Sequence, residues 1–291
     1  MSGHVPSKFL NHLFRGPVEK LLPQLPDESV DCIFADPDYN VGVTYQGRSY
    51  TTQFEDYLHW CEDWARECHR VLKTDGNFFI VNYPKNNAHL RVRLLDGLFH
   101  DIHDYTWGYP TNVGHGKGHF TTAHRSILHC TKSADNRFYK EAVAVPYKNP
   151  NDRRIRGLVS SGSPGRMPYS WFEFNLVKNV SRDKSFHSCQ IPEALSEMLF
   201  KATTKPTDTV LVLFGGAGSE LVAAQRLGLN WVSAEIMPEY CDLIERRLAQ
   251  GGAVPEDARL LTAIRLRQQK KRQEAKIAAA PDQRLPEIRA R

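Results

Sequence analysis

No apolar run in the 291-residue chain approaches the ~18 residues needed to span a bilayer, which argues against a membrane-spanning helix. The N-terminus lacks a charged segment followed by an apolar stretch, so no secretory leader is read there, and a soluble, cytoplasmic protein is expected. The six cysteines (Cys32, Cys61, Cys68, Cys130, Cys189 and Cys241) include no Cys-x-x-Cys pair. That spacing excludes the common zinc modules and leaves reduced, partly buried thiols as the simplest reading. There are no internal repeats, so a solenoid is excluded. What remains is a chain with 41% hydrophobic content, enough to bury one α/β core carrying a smaller insertion.

Charge is unevenly spread. Between Asp135 and Lys184 ten Lys/Arg face five Asp/Glu, and from Pro255 to Arg291 the counts are again ten and five. With a net charge of +5 overall, the rest of the chain is acidic. Two basic segments on an acidic body suggest local contacts with a polyanion, because phosphate contacts supply most non-specific nucleic-acid affinity.

Periodicity places the elements. Val30 to Ala35 reads as a short buried strand, and Phe54 to Lys73 as a helix with Leu58, Cys61, Ala65, Cys68 and Leu72 on one face. Thr74-Asp75-Gly76 reads as a stop before a strand at Phe78 to Val81, and Thr106 to Tyr109 and Ser126 to Cys130 as further strands. Lys132 to Phe186 lacks clear periodicity and is expected to be a loop-rich insertion. After it come a helix from Pro192 to Thr203, a strand from Thr209 to Phe214, a helix from Ser219 to Leu227, a strand from Trp231 to Glu235 and a helix from Pro238 to Ala249. This alternation is the signature of a parallel sheet with covering helices. Asp257 to Ala280 has helical composition but a thin apolar stripe, so it is expected to lie outside the core. The boundaries that follow are 1–131, 132–186, 187–252 and a basic tail at 253–291.

Two strand ends carry chemistry. The first is Asp36-Pro37-Asp38-Tyr39, where a carboxylate and a proline carbonyl can accept hydrogen bonds from an exocyclic amine and an aromatic ring can stack on a base. The second is Phe214-Gly215-Gly216-Ala217-Gly218, a glycine turn opening a helix, where Gly216 and Gly218 permit close backbone approach to a ligand. Glu235 ends the next strand, where an acid can accept from the hydroxyls of a ribose. The Phe-x-Gly-x-Gly spacing differs from the Gly-x-Gly-x-x-Gly of dinucleotide folds and favours S-adenosylmethionine over a nicotinamide cofactor. Gly114-His115-Gly116-Lys117-Gly118-His119, with His124 and His129 nearby, is read as a mobile or DNA-facing loop, because the glycines prevent a helical face that would gather the histidines on a metal.

Together these residues resemble the β class of amino-methylating DNA methyltransferases, in which a DPPY-type motif comes first, then a target-recognition region, then an FxGxG motif. The resemblance covers roughly residues 10 to 250 and takes in Leu25 to Asp31 before the first motif, Tyr39-Asn40-Val41-Gly42 after it, His187 to Leu195, and Glu235 to Tyr240. It implies a Rossmann-like α/β sheet with circularly permuted motif order and an inserted target-recognition region. It further implies S-adenosylmethionine as cofactor, held by Phe214, Gly216, Gly218 and Glu235 with His187, Gln190 and Pro192. Three positions depart from the family pattern. Asp38 stands where proline is usual, Val212-Leu213 where Asp-Pro is usual, and Gly16-Pro17 where Gly-Asp is usual.

The chemistry follows from the target. The amine of adenine or cytosine is a poor nucleophile because its lone pair is delocalised into the ring. Asp36 and the Pro37 carbonyl are expected to accept its two hydrogens, Asp36 to take the proton, and Tyr39 to stack on the extruded base. Within the family an acid at the first motif position is usual for adenine-N6 enzymes and serine for cytosine-N4 enzymes, so Asp36 favours adenine. Asp38 has three settings open to it: solvent, an arginine of the insertion, or a place close enough to Asp36 to raise its pKa. Arg153, Arg154, Arg156 and Arg166 are the candidate contacts to double-stranded DNA, with Tyr169, Trp171 and Phe172 beside them to wedge or stack. The resemblance leaves room for a homodimer and for a restriction endonuclease partner.

Overall fold

The computed structural model describes residues 3–110, 118–178, 181 and 183–278. A short strand β1 (His12–Arg15) and a one-turn helix α1 (Val18–Leu21) lead to β2 (Val30–Ala35). All six β2 residues are buried, as expected for a strand covered on both faces. A small hairpin, β3 (Thr44–Tyr45) and β4 (Arg48–Ser49), precedes helix α2 (Phe54–Val71). α2 buries Leu58, Cys61, Ala65 and Cys68 on the predicted face, with Tyr57, Trp64 and Val71 beside them. β5 (Leu72–Asn82), α3 (Pro84–Leu90), a π-turn at Arg91–Leu95, α4 (Asp96–Leu98), β6 (Asp101–Gly108) and β7 (His124–Thr131) follow. The insertion contributes α5 (Arg153–Ser160) and β8 (Trp171–Glu173). The chain closes with α6 (Glu193–Thr203), β9 (Thr209–Val212), α7 (Ser219–Arg226), β10 (Asn230–Glu235), α8 (Pro238–Ala249) and α9 (Glu256–Ala278).

Eight strands form one sheet in the order β1-β10-β9-β2-β5-β7-β6-β8. The half from β1 to β5 is parallel, whereas β7 runs antiparallel to both β5 and β6. One apolar layer packs α1, α2 and α3 against this sheet, and a second packs α6, α7 and α8 on the other face.

Two expectations are corrected and one is extended. Thr74-Asp75-Gly76 does not separate helix from strand, because β5 starts at Leu72 and runs through it. The turn chemistry is spent instead on a bulge: Val30 pairs with Leu72 but Cys32 with Asn77, so the extra residues loop out beside β2. The insertion is loop-rich, as expected, but supplies two elements that its missing periodicity did not announce, a helix and the strand β8, which lies parallel to β6 on the edge of the main sheet. The tail helix is not wholly outside the core. Ala258 packs with Leu243 and Val254, and Arg246 pairs with Asp257, while residues 267–275 are exposed.

Candidate active site

β2 and β9 lie side by side with Phe34 opposite Val212, so both candidate motifs leave the carboxyl ends of adjacent parallel strands. That is where open α/β sheets form their ligand crevices. A cavity of about 470 Å³ occupies the place, lined by Asp36 to Tyr39, Leu213 to Ala217, Glu235 and His187. Six carboxyl side chains line it (Glu19, Asp36, Asp38, Asp56, Glu220 and Glu235), and among the described residues no lysine or arginine does.

Asp36 is half-buried at the cavity wall, and its Oδ1 accepts a 2.5 Å hydrogen bond from the Tyr39 hydroxyl. Burial pushes the Asp36 carboxyl up to about 7. The Tyr39 hydrogen bond and the charge of Arg125 offset this in part, and the charge of Asp38 adds to it. Of the settings open to Asp38, the structure selects the one near Asp36. Its Oδ1 also accepts from the Asn40 N–H at 2.8 Å, and its buried Oδ2 has no partner. Tyr39 is 4% exposed, meets Tyr83 edge-to-face at 5.3 Å, and receives an Asn86 side-chain hydrogen bond on its carbonyl.

At the second motif Gly216 (φ +51°) and Gly218 (φ +75°) adopt left-handed conformations that favour glycine. A side chain at Gly216 would sit 3.3 Å from the His187 imidazole, which lies over the turn. Gly218 does not line the cavity; it caps α7 and lets Ile244 of α8 approach. Glu235 is fixed at both oxygens, Oε2 accepting from the Gly216 N–H and Oε1 from the Met237 N–H, each at 2.8 Å. Each oxygen keeps acceptor capacity for a further donor. Phe214 stands 5.5 Å from Trp60 on the cavity wall. His187 is neutral, its pKa lowered to about 3 by burial and by the nearby charge of Lys184. Gln190 and Pro192 lie off the cavity. Gln190 ties its own loop, accepting from Ser185 and donating to the Asp183 carbonyl, and Pro192 caps α6.

The arginines of the insertion stand apart from the cavity. Arg153, Arg154 and Arg156 are exposed on α5, and Arg166 lies 4.2 Å over the Tyr169 ring. Most of the histidine-glycine loop, residues 111–117, lies outside the described residues. His124 and His129 are on β7, and His129 is buried, stacked on Phe79 and bonded to Asn77. Among the described residues no group of three or more His, Cys, Asp and Glu could hold a metal.

Two residues were missed by sequence reasoning. Arg125, on β7, sits among three tyrosine rings at 3.8 Å (Tyr83), 5.1 Å (Tyr39) and 5.4 Å (Tyr109), bringing a cation near Asp36. Only the antiparallel β5–β7 pairing brings it there, and nothing local in the sequence signals that. Glu220, buried in the first turn of α7, was open to detection, being an acid two residues past a glycine that opens a helix.

A sequence model of the DNA methylase family matches residues 30–246. The chain belongs to this family. The DNA methylase is 30% identical over 261 residues to the type II methyltransferase M.BglII of Bacillus subtilis, covering 84% of this chain and 71% of that one. It is 29% identical to the DNA adenine methyltransferase YhdJ of Escherichia coli K12, covering 85% and 86%. Among solved structures, the cytosine-N4-specific PvuII DNA methyltransferase shares its fold with a TM-score of 0.62 at 18% identity, over 81% of this chain and 85% of that one. TTHA0409 of Thermus thermophilus, solved in complex with S-adenosyl-L-methionine, does so with a TM-score of 0.58 at 22% identity, over 84% and 95%. No helix among the described residues of this DNA methylase is long and apolar enough to cross a membrane. Where the family pattern has an acid after Gly16, Pro17 turns the methylase chain into α1, and Glu19 lines the cavity with its carboxylate held by the Trp60 indole N–H.

Proposed function

We propose that this DNA methylase transfers the methyl group of S-adenosylmethionine to the exocyclic N6 amine of adenine in double-stranded DNA. One observation carries the reading: Asp36 at the end of β2 and Glu235, beyond the glycine turn, face the same cavity. The cavity also suits the cofactor's charge, since carboxyls without lysine or arginine favour a ligand of net positive charge, as the sulfonium, ammonium and carboxylate of S-adenosylmethionine sum to. Gly216 and Glu235 would hold its nucleoside and His187 its other end. When bound, the cofactor supplies an electrophilic methyl group.

The remaining work falls to the chain. Tyr39 occupies Oδ1 of Asp36, which leaves Oδ2 and the Pro37 carbonyl to accept the two amine hydrogens and localise the nitrogen lone pair. Asp36 then takes the proton, a task suited to a carboxyl whose pKa burial has moved close to neutrality. The Tyr39 ring would support the base plane, a contact worth about 1–3 kcal/mol for stacked bases against a few kcal/mol for flipping. Segment 132–186 is assigned to target recognition through Arg153, Arg154, Arg156 and Arg166. Residues 1–131 and 187–252 are the catalytic and cofactor halves, and the basic tail at 253–291 follows them.

Adenine is favoured over cytosine by the acid at position 36 and by the likeness to a protein named as an adenine methyltransferase. The test is methylation of DNA by the purified protein, digestion to nucleosides and mass detection. N6-methyladenine is expected; N4-methylcytosine without N6-methyladenine overturns the base assignment.

A further inference from the structure

Glu220 is a carboxyl the proposed reaction has not used. It is 5% exposed, yet it lines the cavity that Asp36 lines, in the first turn of α7 just past the glycine turn. The groups that bear on it are Asp36 from the end of β2, Arg247 from α8 and Glu193 from α6. Arg247 is the one cation among them, and it is committed elsewhere. It is fully buried, pairs with Glu193, and donates to the carbonyls of Ala217 and Gly252. Glu220 forms none of the ion pairs found among the described residues. Three polar atoms in the cavity wall are buried without a partner: Nδ1 of His187, a residue 8% exposed, Oδ2 of Asp38, and Oγ of Ser219 next to Glu220. A wall with this many unsatisfied polar groups is completed by a polar ligand.

We infer that Glu220 is a positioning residue for the cofactor, its carboxylate receiving the ammonium group of the amino-acid end. The inference rests on the S-adenosylmethionine reading above. Without a cation nearby, burial and the charge of Asp36 keep a proton on Glu220, whose pKa is pushed up to about 8. An arriving ammonium displaces that proton, and the negative charge so formed faces three N–H donors. Arg247, by holding the Ala217 carbonyl, keeps the glycine turn in place beneath the ligand without neutralising Glu220.

Calorimetric titration of the full chain at about pH 7, in buffers of differing ionisation enthalpy, tests this with three ligands. S-adenosylmethionine carries the ammonium, whereas 5′-methylthioadenosine lacks both the amino-acid end and the sulfonium charge. S-adenosylhomocysteine, which keeps the ammonium on a neutral thioether, should share the proton release and the Glu220 dependence of S-adenosylmethionine. The wild type is expected to release a proton on binding S-adenosylmethionine and none on binding methylthioadenosine. Glu220→Gln should bind S-adenosylmethionine about tenfold more weakly, the order expected for loss of a charged hydrogen bond, and with a smaller proton release, Asp36 supplying what remains. Its methylthioadenosine affinity should be unchanged, which also reports an intact fold. Unaltered S-adenosylmethionine affinity and proton release in Glu220→Gln would sink the inference. So would an equal loss for S-adenosylmethionine and methylthioadenosine, which marks a merely structural role. A wild type that binds methylthioadenosine but not S-adenosylmethionine overturns the cofactor reading, and the inference with it.

Discussion

The β2 strand carries one carboxylate near each end, and the two are treated in opposite ways. Asp31 is buried at the start of the strand, with Lys73 at 2.7 Å, Arg137 at 2.5 Å and the Thr209 N–H at 2.8 Å. Burial alone would raise its pKa, but these partners outweigh it and hold the carboxyl below the usual range. Asp36, just past the other end, has a tyrosine hydroxyl on one oxygen and no ion pair among the described residues, and burial wins there. Both are aspartates packed beside the same strand. Their partners differ, and partners decide whether a buried carboxylate holds a fold together or stays ready to take up a proton. At the Asp31 end the cations come from β5 and from the entry to the insertion, so this cluster also ties the insertion to the sheet.

Exchanging roles is the strongest way to break the comparison. Asp36→Asn keeps the size and the hydrogen bond to Tyr39 but removes the proton acceptor. Methyl transfer should fall about 10²–10⁴-fold, with the circular dichroism spectrum and cofactor affinity largely retained. Single-turnover methylation of a labelled duplex checks this, and turnover within a few-fold of wild type would remove Asp36 from the mechanism. Asp31→Asn should do the reverse. It takes the shared carboxylate from Lys73 and Arg137, although Arg137 keeps Asp75 and Asp208, and should cost about 1–3 kcal/mol of stability, read by urea denaturation. Transfer per folded molecule should hardly change.

How much of this was readable from the chain depends on whether the signal is local. Val30 to Ala35 was legible to the residue because a fully buried parallel strand reads as a near-continuous apolar run, here interrupted only by Asp31. Pro238 to Ala249 was equally clear from its opening proline. The order of the motifs fixed the sheet neighbours, and with them the meeting of Asp36, Gly216 and Glu235 at one cavity. What stayed hidden depends on pairing. The bulge in β5 disguises a strand as a turn, and β8 is three residues long and becomes a strand only because β6 offers an edge. Arg125 reaches Tyr39 across an antiparallel neighbour that motif order does not specify. Gln190, inside a resembling segment, bonds to its own loop and stands off the cavity, a placement that motif order does not specify.

The two aspartates should also part company on a pH axis, with smaller effects. Asp36 has a folded pKa above its unfolded value, so the folded state holds an extra proton between about pH 4 and 7. Its contribution to stability is present below that window and is lost as pH rises through about 7, while activity climbs over the upper part of it. Asp31 has a lowered folded pKa, so its contribution is present above about pH 4 and disappears on acidification. Replacing Asp36 by asparagine should therefore stabilise the protein by about 1–2 kcal/mol at pH 8 and by little at pH 5. Urea melts at the two pH values, with the pH–rate profile, test both signs. A stability difference that is the same at both would mean that Asp36 titrates normally.

The smallest effects belong to the cations, where the same rule of partners applies. Arg137 is bound by Asp31, Asp75 and Asp208 and is spent on the fold. Arg153 and Arg156 are exposed on α5 with no ion pair among the described residues, and Arg154 meets only the capping Asp152 at 3.5 Å. α5 buries none of its residues, with Leu158 49% and Val159 42% exposed, so truncating its arginines should leave stability unchanged. If these arginines touch phosphate, each alanine substitution should weaken duplex binding for every sequence alike and lower the slope of log affinity against log salt by about 1. If one of them reads a base edge, the salt slope changes less, and about 1–3 kcal/mol of discrimination at one position of the site disappears. Binding measured across several salt concentrations, on matched and mismatched duplexes, separates the two outcomes. An α5 whose triple alanine variant binds every duplex like wild type has no part in target recognition, and that role then passes to the exposed Tyr169 and Trp171 at the sheet edge.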